Sequence, residues 1–510
     1  MQKIEKQTLY RYGLALCSGL CLSGSFAPDN LPVFAFAALL VISYLGATVK
    51  SAKDGALIGW LFGFGWFVAG IDWVQYSMHH YGALSASLSW ALTVLLALFL
   101  GLFPAGAFCL ASRLTDVHII RAIVTIPAAF TAFEWLREWL FTGFPWLNPA
   151  YAFIDWTIAG WAPFAGVFAV LYALMLTAGL LCAAWMQWGR WVNVASMLIV
   201  CIAVLMIGYA GRMMPWAERV DTVSLYLVQP NLDPLADREH QNQRLTRIMA
   251  MLEQAENAPE HFDAALLPES VFALAWQDFH AVNKQQLISW VNRTDTTLFF
   301  NAFFESEPKR YANAAFMLAP QAGMTVYEKR HLVPFGEFVP WGFHGLVHAM
   351  AIPMTDLKAG QAQQPLMTIK NHPVSLNLCY ENLFGSQWRE AWLNGQQPQL
   401  LINLSNLKWF GPKKAHYQHL QISQMRALES ARALVSVTNS GMTALIDAQG
   451  KVLAQIEPDR VGHLAIEAPV MSAQMTPFIR LGNTPIILWI FLMLIATALA
   501  PFALKIFKKQ

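Results

Sequence analysis

Apolar and polar positions are segregated along this chain, and the period of the pattern changes with them. Continuous apolar runs near 11–27, 30–48, 55–76, 86–112, 118–140, 158–186, 191–211 and 484–504 are each long enough to approach the ~20 residues that a membrane-crossing helix needs. Seven of them precede a polar block and one follows it. The expected division is therefore a transmembrane domain over 1–215, a polar domain over 216–483, and a last helix with a basic tail over 484–510. Within the polar block, short alternating runs read as strands at 222–229, 264–267, 297–304, 374–378, 400–404, 433–438, 443–447 and 462–466, with a hairpin over 311–328. Helical patterns fall between them near 236–256, 283–293 and 413–432. Strands and helices in alternation predict an α/β domain of stacked sheets covered by helices, beside a multi-pass α-helical membrane domain of about eight transmembrane helices.

Composition supports the membrane half of this reading. Of 510 residues, 56% are hydrophobic and only 13% charged, against about a quarter charged in soluble domains. The mean hydropathy is +0.39. A formal net charge of +2, with no basic stripe, argues against nucleic acid as a partner. Loop charges orient the chain instead. Lys3, Lys6, Arg11, Lys50, Lys53, Arg113, Arg121, Arg190, Lys505, Lys508 and Lys509 fall on one side, whereas Arg137, Arg212 and Arg219 fall on the other. Both termini are then cytoplasmic, and the odd number of crossings sends the polar block across the membrane, into the periplasm of a cell with two membranes. The first apolar run has no small-x-small cleavage site followed by a polar start, so a cleaved signal peptide is not expected.

The candidate chemistry lies in the polar block. Cys17, Cys21, Cys109, Cys182 and Cys201 sit in apolar segments and are expected to be small buried hydrophobes. Cys379 stands apart, at the end of the strand pattern Val374, Leu376, Leu378, and has no cysteine partner in its domain. A thiol with an ordinary pKa near 8.5 needs a base or a cation to become a nucleophile. Glu269, after a strand and a proline, and Lys329, after the hairpin, could serve as base and oxyanion partner; from spacing alone they could equally be surface or core residues. No G-x-S-x-G elbow competes. His416 and His419 are three apart, yet no third ligand accompanies them, so neither metal nor cofactor is expected.

Three stretches carry a resemblance: Pro268-Glu269-Ser270, the run Lys329-Arg330-His331-Leu332-Val333-Pro334-Phe335-Gly336-Glu337, and Cys379-Tyr380-Glu381. Together they resemble the Glu-Lys-Cys pattern of the nitrilase superfamily in the form used by apolipoprotein N-acyltransferases. Gly143-Phe144-Pro145-Trp146, Trp409-Phe410-Gly411, Gln418-His419, Met425 to Glu429 and Thr438 to Gly441 extend the likeness over most of the chain. The resemblance implies an αββα sandwich for the polar domain and a bacterial inner membrane for the whole. It further implies acyl transfer through a thioester, with Cys379 as nucleophile, Glu269 as base and Lys329 as oxyanion partner. The donor would be a membrane phospholipid and the acceptor the N-terminal amine of a diacylglyceryl-modified apolipoprotein, handled by a monomer.

The same resemblance assigns supporting roles. Glu337 and Glu381 would orient the triad, Tyr380 would shape the site, and Asn406 and Trp409 would line it, with the Trp341-Gly342-Phe343 and Trp409-Phe410 loops covering a membrane-facing entrance. Glu134 and Arg137 are expected to pair on one helix. Leu407-Lys408 replaces the Asp-Ala pair common in the family, and Lys408 faces either a phosphate headgroup or solvent. Two other functions fit parts of the pattern. One is a membrane-anchored amidase using the same three residues; seven spans are needless for a small soluble amide. The other is a non-catalytic scaffold or transporter, against which the intact triad and the lack of paired charges mid-span both argue.

Overall fold

The computed structural model describes residues 2–233, 241–342, 344–345, 356–412 and 414–507. Two compact units result: residues 1–79, 84–214 and 480–510 in the first, residues 80–83 and 215–479 in the second.

The first unit is helical. It comprises α1 (Gln2–Ser23), α2 (Pro32–Ala47), α3 (Ala52–Gly70), α4 (Val74–His80), α5 (Ala86–Leu100), α6 (Leu102–Leu114), α7 (Ile126–Trp139), α8 (Ala162–Met186), α9 (Trp191–Met213) and a helix at Thr484–Phe507. Among the described residues, five spans, 86–114, 118–142, 157–186, 191–213 and 484–501, are long and apolar enough to cross a membrane, and the pair α3 and α4, bent by 50°, makes a sixth if it acts as one. The protein is therefore a membrane protein, but the expected eight crossings are not all met by length and composition. At 16 residues α2 extends about 24 Å, short of the ~30 Å hydrocarbon layer. Lys3, Glu5, Lys6 and Arg11 occupy the first half of α1. Cys17 and Cys21 are exposed on α1, which corrects the expectation that both are buried; Cys182 and Cys201 are buried. Glycine lets α1 lie directly on α3, since a Cβ at Gly19 would sit 2.0 Å from the Phe62 carbonyl oxygen.

Charges inside this unit are paired, as a low-dielectric interior demands. The Arg137 and Glu134 side chains are 1% and 2% exposed, and Arg137 Nε donates to Glu134 Oε1 at 3.0 Å. The same guanidinium donates to the carbonyls of Phe144 and Trp146 and lies over the rings of Trp66 and Phe67. The pair thus clamps the Gly143 to Trp146 turn, two features that the sequence presents separately.

The second unit holds two six-stranded sheets, ordered β12-β1-β2-β3-β4-β5 and β11-β10-β9-β8-β7-β6. The strands are β1 (Arg219–Gln229), β2 (Ala264–Leu266), β3 (Thr297–Glu307), β4 (Arg310–Ala319), β5 (Gly323–Glu328), β6 (Met367–Ile369), β7 (His372–Leu378), β8 (Leu400–Ser405), β9 (Leu434–Thr438), β10 (Thr443–Ile446), β11 (Val452–Ile456) and β12 (Gly462–Met471). Period-two alternation builds three layers of core. Leu225, Leu227, Leu376, Leu378, Ile402 and Val435 meet between the sheets. Tyr226 and Val228, on the other face of β1, pack with α10 (Gln241–Glu256) and α11 (Ala281–Thr294). Leu401 and Leu434 pack likewise against α12 (Gly385–Leu393) and α13 (Lys414–Ser430). This is the αββα arrangement that the resemblance implies. The short strands β6 and β11 and the nine-residue α12 are additions to the sequence-based expectation, and β12 runs five residues beyond it.

The topology also places the chemistry. β1, β2 and β3 are mutually parallel, as are β7, β8 and β9. Glu269 follows β2, Cys379 follows β7 and Asn406 follows β8, so all three leave the carboxyl ends of parallel strands, where open α/β sheets place their sites.

Candidate active site

Cys379 opens a 3-10 turn over Cys379–Leu383 with φ of +47°, a left-handed conformation uncommon for a residue with a Cβ. Ser270, directly after Glu269, also has a positive φ, +63°. Such outliers are retained where surrounding bonds over-determine the backbone. At Ser270 the N–H donates to Asn301 Oδ1 at 2.7 Å. At Cys379 the carbonyl accepts a bond from the buried ring of His419 on α13.

The three predicted residues converge. The Cys379 thiol is buried beside the Glu269 carboxylate and the Lys329 ammonium. Lys329 Nζ lies 3.3 Å from Glu269 Oε1 and 2.9 Å from Glu337 Oε1, with its side chain 1% exposed. Asn313 on β4 bridges the two carboxylates, donating from Nδ2 to Glu269 Oε1 at 2.8 Å and to Glu337 Oε1 at 2.7 Å. Asn313 is in turn held by Asn301 Nδ2 at 2.6 Å. The remaining oxygens are also satisfied: Glu269 Oε2 accepts from the Asn406 N–H at 3.0 Å, and Glu337 Oε2 from the Val333 N–H at 2.8 Å.

Burial sets the protonation of this cluster. It pushes the Cys379 thiol well above its ordinary value, and the neighbouring Glu269 carboxylate adds to the rise while Lys329 opposes it. Burial alone would lower Lys329, but Glu269 and Glu337 together raise it above an ordinary lysine. At neutral pH the cluster is therefore a thiol beside a carboxylate and an ammonium, and not a preformed thiolate.

The supporting residues divide. Glu381 is fully buried and accepts from the N–H groups of Leu378 at 2.8 Å, Arg330 at 2.8 Å and His331 at 3.2 Å, and from the Tyr327 hydroxyl at 3.0 Å. It ties the end of β7 to the residues just after Lys329. Burial raises its pKa, against those same hydrogen bonds. Tyr380 turns to the His331 and Phe384 rings. Asn406 serves Glu269 through its backbone, while its Oδ1 accepts from Asn439 Nδ2 and the Lys408 N–H. Trp409 is half-buried and meets Tyr81 edge-on, ring centroids 4.8 Å apart. Lys408 is partly exposed, and its Nζ bonds Asp459 Oδ1 at 2.9 Å and Asn231 Oδ1 at 3.0 Å. His416 and His419 point their rings at the carbonyls of Leu407 and Cys379. Among the described residues no cluster of three metal-ligating side chains occurs. Trp341 is almost fully exposed, and Phe343 lies outside the described residues. Sequence reasoning missed Asn301 and Asn313, and took Asn439 only as part of the 438–441 stretch without a role; the available signal for the first two was a lone asparagine inside each of two apolar strand runs.

Family models agree with both halves of the chain. One described as apolipoprotein N-acyltransferase N-terminal domain matches residues 18–180, and one described as carbon-nitrogen hydrolase matches residues 227–475. The apolipoprotein N-acyltransferase of Ralstonia nicotianae is 35% identical over 482 residues, spanning 92% of this chain and 90% of the relative. The chain belongs to the apolipoprotein N-acyltransferase family. The member from Bordetella bronchiseptica is 34% identical over 523 residues, covering 93% of this chain and 94% of the relative. Among solved structures, Nit3 of Saccharomyces cerevisiae, a member of branch 10 of the nitrilase superfamily, is 16% identical over 49% of this chain and 91% of its own, with a TM-score of 0.38.

Proposed function

We propose that this protein transfers an acyl chain from a membrane phospholipid, through a thioester on Cys379, to the N-terminal amine of a diacylglyceryl-cysteine apolipoprotein. The observation that carries this reading is a buried thiol beside a carboxylate that is itself paired with a buried lysine. In the first half-reaction Glu269 takes the thiol proton as Sγ attacks the ester carbonyl carbon. The oxyanion that forms is stabilised by the Lys329 ammonium. The C–O bond then breaks, Glu269 returns the proton to the leaving alcohol, and a lysophospholipid departs. In the second half-reaction the acceptor amine attacks the thioester carbonyl, Glu269 takes a proton from nitrogen, and the C–S bond breaks to restore the thiol. Every step uses groups of the chain itself, without metal or cofactor.

The enzyme works as a monomer in the bacterial inner membrane, with eight crossings, both termini cytoplasmic and the α/β unit in the periplasm. The distribution of loop Lys and Arg supports that orientation. Keeping both lipids at the bilayer avoids exposing their chains to water, at ~0.8 kcal/mol for each CH₂. Trp341, 95% exposed, and Phe335, 50% exposed, are the apolar side chains offered to that interface.

Mass spectrometry of the purified protein incubated with phospholipid tests the reading. An acyl adduct on Cys379, absent from Cys379→Ala, is expected; no adduct anywhere would overturn the mechanism. Adding a diacylated lipopeptide then separates acyl transfer to the amine from hydrolysis by water.

A further inference from the structure

A closed ring of hydrogen bonds surrounds the turn that presents Asn406 to Glu269. The Asn406 N–H donates to Glu269 Oε2 at 3.0 Å. Its Oδ1 accepts from the Lys408 N–H at 3.2 Å, and the Lys408 side chain leaves the turn to bond Asp459 and Asn231. Asp459 is fixed from behind, its N–H donating to the Ser440 carbonyl at 2.8 Å and its carbonyl accepting from Asn231 Nδ2 at 2.9 Å. The neighbouring Asn439 closes the ring, donating from Nδ2 to Asn406 Oδ1 at 3.1 Å and from its N–H to the Ser405 carbonyl at 3.0 Å. The His416 ring holds the Leu407 carbonyl at 3.1 Å, and the Tyr81 hydroxyl reaches that of Lys408 at 3.4 Å.

We propose that the Lys408 and Asp459 ion pair positions the general base: it holds the 406–408 turn so that the Asn406 N–H stays on Glu269. Lys408 and Asp459 are positioning residues, since neither touches the reacting atoms. Their side chains are 27% and 36% exposed, so the pair adds little to folding stability and its loss is felt in the geometry of the turn. With the turn released, Glu269 Oε2 loses the N–H that fixes its carboxylate toward the Cys379 thiol, so fewer chains hold the base in the geometry that takes the proton. The other charged or titratable groups facing Glu269 are Lys329, Glu337 and Cys379, and those facing the ion pair are His416 and Tyr417. Substituting Lys408 or Asp459 leaves Lys329, Glu337 and Cys379 in place but changes the field at His416, which Asp459 raises and Lys408 lowers, and at Tyr417, which Asp459 raises.

The proposal rests on the thioester reading of Cys379, and the test separates the two. The full-length protein in mixed micelles with phosphatidylethanolamine or phosphatidylglycerol is followed by mass spectrometry for the initial rate of Cys379 acylation across lipid concentration. Lys408→Met and Asp459→Asn are each expected to lower the maximal rate about tenfold and to leave the half-saturating lipid concentration and Tm unchanged, a split that a merely structural role would not produce. Lys408→Arg restores the rate, and the double variant is no slower than the slower single one, because both remove one interaction. Unaltered maximal rates in both variants would overturn the positioning role alone. So would a rise in half-saturating concentration confined to the anionic donor, which would make Lys408 a headgroup contact. Failure of the unsubstituted protein to form any adduct would overturn the thioester reading, and this proposal with it.

Discussion

Cys379 sits under opposing influences that single substitutions can separate. Burial and the Glu269 carboxylate hold its proton on, and Lys329 works against them. Glu269→Gln removes a raising neighbour, so alkylation of Cys379 by iodoacetamide, read at that peptide by mass spectrometry, is expected to begin at lower pH than in the unsubstituted protein while acyl transfer is lost. Lys329→Met should move the same onset to higher pH. A base whose loss increases thiol reactivity is the signature of a thiol and carboxylate pair. Spacing alone left these residues open and only the resemblance singled them out; the structure brings them together. The glue between them is not legible in the sequence. Asn313 donates to two glutamates far from it in sequence, and nothing in an apolar strand announces that its one polar side chain will meet them.

Two helices carry expectations of their own. On α7, Arg137 holds Glu134 and two carbonyls of the 143–146 turn, so Arg137→Ala leaves a buried carboxylate and two carbonyls without their donor. Breaking a buried pair in this way costs about 3–5 kcal/mol, and the variant should show a lower Tm in detergent, with Glu134→Gln in the same chain recovering part of the loss. On α13, burial lowers the pKa of His419 to about 4. Unfolded histidine titrates near 6.5, so between those values the unfolded chain binds more protons, and stability falls as pH drops from about 6.5 to about 4. His419→Gln should flatten that part of a Tm-against-pH curve. Strands with strong alternation were read to within a few residues, β12 apart, whereas β6, β11 and α12 escaped because three to nine residues carry too little periodicity. On α12 the Trp388 and Trp392 pair, four apart and both buried, was the clue.

For the molecule as a whole, the sequence marked the division between apolar helices and an α/β region plainly, because membrane solvation imposes long runs and a sandwich imposes alternation. The number of crossings was harder to read, since α2 is short and the α3 and α4 pair is bent. If Trp341 enters the bilayer surface, Trp341→Ser should slow acylation from vesicles of long-chain phospholipid several-fold and leave acylation from short-chain monomeric phospholipid unchanged. A last consequence follows from the burial of Cys379, which is 7% exposed. On the proposed pathway one sulfur holds one acyl chain, and a shielded thioester does not drain to water. Without acceptor, the protein should therefore release a burst of lysophospholipid equal to about one molecule per chain and then stop. In a cell, its turnover would follow the supply of new lipoprotein amines, not the abundance of membrane lipid.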